Sequence, residues 1–131
     1  MTHTALVVLT GKNVGTLVGD GGASCWPVDK ARAEASEYVV CCWNARSLER
    51  QVQDAAHGEA FLIGHVAGTS PCKRDAIPGR SRLEGWCVKF DRYALLAVSR
   101  AWPGGRPPWR YIDDVEGFIG QGVDRLGWHR L

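Results

Sequence analysis

The sequence predicts an α+β domain, built on a curled, mostly antiparallel sheet or small barrel with short helices inserted early and late. Three observations lead there. Apolar, β-branched runs recur in short lengths, above all at residues 37–43 and 60–67. Clusters of glycine, proline and small polar residues punctuate them. Helical patterns are short and few, whereas a doubly wound parallel sheet needs more and longer crossover helices. A chain of 131 residues is one domain with its own core.

Residues 5–9 form a short β-type run that stops at Thr10-Gly11, and residues 14–18 read as a second strand. Residues 19–22, Gly-Asp-Gly-Gly, are a turn. Residues 27–35 read as a short helix with Pro27 in its first turn. The almost wholly apolar run 37–43 is a central, buried strand. Residues 47–56 read as a polar helix capped by Ser47, without a full capping box because Arg50 stands at the third position on. Residues 60–67 are another buried strand, in which Gly64 marks a bulge or a close backbone approach.

A basic Gly/Pro loop at 69–81 follows, then strands at 83–90 and 93–99. The segment 102–108, Trp-Pro-Gly-Gly-Arg-Pro-Pro, is irregular. Residues 113–119 are a short helix or turn, and residues 121–131 a loose tail closing a single domain of residues 1–131.

The formal charge of +2 is unevenly placed. Residues 1–71 carry five basic residues against seven acids, and residues 72–131 eleven against seven. A basic half is a hint of a polyanionic partner. The five cysteines, Cys25, Cys41, Cys42, Cys72 and Cys87, show no C-x-x-C spacing. Neighbouring Cys41 and Cys42 would point to opposite faces of a strand. Reduced, mostly buried thiols in a cytoplasmic protein are the expectation. The opening residues have no basic n-region and only a short apolar run, so neither a signal peptide nor a membrane span is expected.

The segment 74–111 concentrates the chemistry. Eight basic residues stand there against Asp75, Glu84 and Asp91, interleaved with Trp86, Tyr93, Trp102 and Trp109. Cations neutralise phosphates and flat rings stack on bases, so the mixture suits a nucleic-acid surface.

Three segments together resemble the PUA-like superfamily, in its EVE-type and ASCH-type branches. They are the strand leading into Trp43-Asn44-Ala45-Arg46-Ser47, residues 58–68, and the strand pair around residues 86–94 followed by residues 102–111. The resemblance covers about residues 37–120; residues 5–35 depart from a minimal EVE domain. It implies a PUA-like barrel and recognition of DNA or RNA, often of a modified or flipped base held in an aromatic-lined pocket. A protein partner supplying an effector activity fits the same expectation.

The residues can supply such a pocket. Trp43 and Trp86 offer flat walls, Asn44 can pair two ways with a base edge, and Ser47 or Asp91 can bind an exocyclic amine. Arg80, Arg82, Arg106 and Arg110 can hold phosphates. Trp102 and Trp109, flanking a rigid loop, suit a contact surface.

Each has a plainer reading. Trp43 and Trp86 also suit core positions, Arg80 and Arg82 plain solvation, and Arg106 and Arg110 pairing with Asp113, Asp114 or Glu116. Asp91 also suits capping a turn, and His65 a place in the core or lining the barrel.

No catalytic, metal or cofactor site is expected. His57-Gly-Glu59 with Pro71-Cys72 evokes a zinc deaminase, but Asp75 stands where the second cysteine belongs. The glycines at 11–15 and 19–22 match neither Walker A nor G-x-G-x-x-G. Two alternatives stay open. One is a small nucleotide- or nucleoside-acting enzyme of the ASCH amidohydrolase kind, with Glu59, Glu84 and Lys89 as acid/base candidates. The other is a protein-interaction module using residues 102–111 as its hot spot.

Overall fold

The structure is a computed structural model and describes residues 2–74 and 83–131. It is a mixed α+β protein whose sheet curls into a half-barrel. The strands are β1 (Ala5–Thr10), β2 (Gly22–Trp26), β3 (Tyr38–Trp43), β4 (Ala60–Arg74), β5 (Leu83–Val98), β6 (Trp109–Ile112) and β7 (His129–Arg130). Six run in the order β2-β5-β4-β3-β1-β6, and β7 pairs with β5. Among the described residues, β1 and β3 run parallel and the other five pairings are antiparallel.

Alternation along the central strands builds two cores, one on each face. Leu6, Val8, Val39, Cys41 and Trp43 point to one side, and Ala5, Val7, Tyr38, Val40 and Cys42 to the other. A strand buried on both faces reads as a continuous apolar run, which is why 37–43 shows no polar alternation. The first core is covered by helices α1 (Val14–Asp20) and α2 (Lys30–Ala35) through Leu17 and Ala33. The second is covered by α3 (Val115–Ile119) and a 3-10 turn, Val123–Arg125. The segment beyond α3 folds back onto the sheet. Trp128 stacks on Tyr38 at 5.9 Å and donates its indole N–H to the Val123 carbonyl at 2.7 Å.

Residues 14–18 are helix, not strand. Val14, Leu17 and Val18 recur at helical spacing and pack together on the first core, which outweighs the β preference of the two valines. Asn13 starts the helix by accepting the Thr16 N–H at 2.9 Å. Its own amide donates to the Val52 carbonyl at 3.2 Å. Asn13→Ala is therefore expected to cost about 1–2 kcal/mol in urea unfolding. A cost under about 0.3 kcal/mol would show that water replaces both bonds.

The second helix starts later than expected, because Asp29 caps it through the Arg32 N–H at 3.0 Å, which leaves Pro27 outside the first turn.

Residues 47–56 form turns and irregular chain rather than a helix. The only long apolar side chains there, Leu48 and Val52, are 99% and 92% exposed, so no apolar face rewards helix formation. The segment instead ties down the start of α1. The side-chain carbonyls of Gln51 and Gln53 accept the N–H groups of Asn13 and Val14 at 2.8 and 3.0 Å.

Residues 69–74, expected in the basic loop, continue strand β4, and residues 75–81 of that loop lie outside the described residues. The runs at 83–90 and 93–99 are one strand, bent by bulges rather than broken by a turn. Gly64 permits the close approach its position implied. A Cβ there would lie 2.6 Å from the Phe90 ring.

The reduced-thiol expectation is corrected for two cysteines: Cys25 and Cys72 form a disulfide, their Cα atoms 6.0 Å apart. Strand β2 folds over β5 at Gly85, where a Cβ would come within 2.6 Å of the Cys25 sulfur. That pairing removes the argument that placed the chain in a reducing compartment. Cys41, Cys42 and Cys87 are free and buried. Burial pushes the thiols of Cys41 and Cys42 up, that of Cys42 to about 12, so both stay protonated and unreactive at neutral pH. Among the described residues, no helix is long and apolar enough to cross a membrane.

A candidate base-binding cleft

The two parallel strands end on the same edge of the sheet, Thr10 opposite Trp43. The turns that follow diverge and leave a cleft of about 620 Å³ between them. One wall is Thr10, Gly11 and Lys12; the other is Asn44, Ser47 and Gln51. Ser24, Cys25 and Trp26 of β2 line it too. A second hollow of about 400 Å³ adjoins it, bounded by Arg46, His57, Trp102 and Arg106. Leu9, Asn44 and Pro108 line both.

Asn44 is the hinge between the hollows. Its backbone N–H donates to the Thr10 carbonyl at 2.9 Å, which fixes it beside the end of β1. Its side-chain oxygen accepts the Arg46 N–H at 3.1 Å, an Asx-turn. The amide NH2 makes no hydrogen bond among the described residues, so two donors are left for a ligand. Ser47 Oγ accepts the Glu49 N–H at 3.3 Å and keeps its own proton to donate. Lys12 reaches across the cleft floor to Ser24 Oγ at 2.9 Å. His57 Nδ1 accepts the Ala45 N–H at 3.2 Å, so the neutral ring carries its proton on Nε2, as a donor.

The aromatic wall is Trp102, half-buried, with the Arg110 guanidinium 5.9 Å from its ring centroid. Arg110 Nη2 donates to the Gly104 carbonyl at 2.7 Å, which holds loop and ring together. Neither Arg106 nor Arg110 forms an ion pair with Asp113, Asp114 or Glu116. Lys12, Arg46 and Arg106 face only Glu49 among the lining carboxylates, so the groove favours anions.

Of the residues singled out in the sequence, the structure brings together Asn44, Ser47, Trp102 and Arg106, with Arg110 behind the ring. It does not bring Trp43 and Trp86 to them. Trp43 is 4% exposed and meets Phe61 edge-on at 6.0 Å, a core side chain with no free face. Trp86 is half-buried on the β2–β5 arm opposite Trp26, with the Lys30 ammonium 5.7 Å from its ring. Trp109 pairs on β6 and packs against the first core.

Asp91 lies at the other end of the sheet, bonded to His65, and caps no turn because β5 runs through it. His65 is half-exposed rather than a core residue. Arg80 and Arg82 lie outside the described residues.

Trp26 and Gln51 were not singled out in the sequence; Lys12 entered only within the glycine stretch at 11–15, Arg46 within the resemblance and His57 within the zinc signature. Trp26 is 8% exposed, and its indole N–H has no acceptor among the described residues. Also among the described residues, no group of three or more His, Cys, Asp or Glu side chains is placed to hold a metal.

No protein-family model, curated protein or solved structure matches the chain.

Proposed function

We propose that the chain is a nucleic-acid-binding module of PUA-like architecture, which takes an unstacked base into the cleft at the ends of β1 and β3. The observation that carries the reading is Asn44. It stands where the two hollows join, its amide donors free, with Lys12 lining one hollow and Trp102, Arg46 and Arg106 the other. In this reading Trp102 stacks on the base, and Asn44 with Ser47 reads its edge. Arg106 and Arg46 hold the flanking phosphates, and Arg110 keeps the ring in place. A base modification is discriminated inside the cleft by Asn44 and Ser47, because a group that blocks or adds a donor changes the bonds they can make.

The test is fluorescence anisotropy with labelled single- and double-stranded DNA and RNA, modified and unmodified, at two salt concentrations. Affinity is expected to fall steeply with salt. Trp102→Ala is expected to weaken binding about 10-fold or more, from the loss of one base–ring stack. Asn44→Ala is expected to flatten the preference among bases while leaving the salt slope unchanged. Absence of binding to every oligonucleotide at low salt would end the reading, as would equal binding by the Trp102→Ala variant.

A further inference from the structure

We propose a second ligand site, for a phosphate group, on a row of three side chains at the end of the sheet away from Asn44. His65 of β4 is in register with Arg92 of β5, and Arg92 with Arg130 of β7. Residues directly opposite across strands share a face, so the three stand side by side. His65 is also opposite Tyr38, the first residue of β3, whereas Asn44 follows its last. The row borders a cleft of about 460 Å³ that no feature of the base cleft reaches.

Four observations point to an anion. First, Arg92 and Arg130 are like charges directly opposed, an arrangement that destabilises a sheet unless something neutralises it. Neither makes an ion pair among the described residues. Second, the Nε–H of Arg92 is buried without an acceptor among the described residues. A buried donor left unmade is costly, and an oxyanion would satisfy it.

Third, Arg92 is already braced: its guanidinium lies 5.0 Å from the Trp128 ring, and that ring is fixed on Tyr38. Little side-chain freedom remains to be lost on binding. Fourth, a β-bulge re-aims Asp91. The register jumps from His65↔Arg92 to Val66↔Phe90, which leaves Asp91 without a partner in the ladder. Its carboxylate bonds His65 Nδ1 at 3.0 Å, so the imidazole is oriented with Nε2 as its free nitrogen.

The one side-chain carboxylate lining the cleft is thus engaged, and the Arg92 and Arg130 guanidinium groups and the His65 imidazole line the cleft with it. Planar forks matched to tetrahedral oxygens are what phosphate recognition uses. The phosphate can belong to a small phosphate monoester or to a nucleic-acid strand that also reaches this end of the sheet; the chemistry at the row is the same.

Inorganic phosphate is the probe. It is titrated at constant ionic strength, with sodium chloride as the counterpart, and the Arg92 Nε–H resonance is followed by NMR. A saturable shift is expected with phosphate and not with chloride. Arg130→Gln, at an exposed position, is expected to weaken it at least about tenfold, the loss of one charge-assisted contact. A shift that chloride reproduces, or that persists undiminished in Arg130→Gln, would overturn the proposal. So would the absence of any shift. Displacement of the phosphate by a nucleoside monophosphate, but not by an oligonucleotide of equal phosphate content, identifies the small ester. The reverse identifies the strand.

Discussion

Reduction of the Cys25–Cys72 disulfide is expected to lower the unfolding free energy by about 4 kcal/mol. The two cysteines are 47 residues apart in sequence, and a cross-link of that span removes about this much loop entropy from the unfolded chain. The loss is large against the marginal stability of a domain this size, about 5–15 kcal/mol. No other cysteine can take over, because Cys41, Cys42 and Cys87 are buried and Cys41 and Cys42 face opposite cores.

Urea unfolding followed by circular dichroism, with and without a dithiol reductant, measures the effect. A Cys25→Ala/Cys72→Ala double variant is expected to match the reduced protein and to ignore reductant. If reduction cost less than about 1 kcal/mol, the cross-link would not be constraining the unfolded ensemble.

Gly64→Ala is expected to damage the core by overpacking it. The added methyl would sit 2.6 Å from Cγ and 2.8 Å from Cβ of Phe90, inside van der Waals contact. Phe90 is buried and packs with the first core, so it has no open space to move into. Overpacking of this kind costs about 2–3 kcal/mol. The double-mutant cycle with Phe90→Leu makes the cause testable. If the clash is the reason, the smaller side chain returns part of the loss, and the two changes couple by about 1 kcal/mol or more. Simple additivity would place the cost in the strand backbone instead.

The strands expected at 37–43 and 60–67 were legible because both faces are buried over residues 38–43 and 60–64, and a two-faced burial leaves an unbroken apolar run. The role of Gly64 was legible for the same reason: a glycine in such a run has few uses other than close approach. The first helix was not, since two valines outweighed a spacing only seven residues long. The fate of residues 47–56 is set by glutamine bonds to a segment nearly forty residues away, which no local pattern encodes.

The disulfide depends on β2 folding over β5, again a tertiary fact. At the candidate cleft, Asn44 and Ser47 line one hollow and Trp102 and Arg106 the adjoining one, a grouping that the sequence did not indicate. Trp43 and Trp86 line neither, because a large ring on a strand says nothing of which face is open. Asp91 shows the same limit. Its bond to His65 exists only because one bulge turns it, and bulges leave almost no trace in composition.

The place of β1 has a consequence for how the chain is made. It lies between β3 and β6, so Ala5 pairs with Tyr38 on one side and with Ile112 on the other. On a ribosome Tyr38 emerges long before Ile112. Through that interval Leu6, Val7 and Val8 form an open edge, with no charge, proline or bulge to turn away a foreign strand. A nascent chain halted before Trp109 therefore carries a ready template for aggregation. The exposure of β1 ends only when β6 is available to cover its second side.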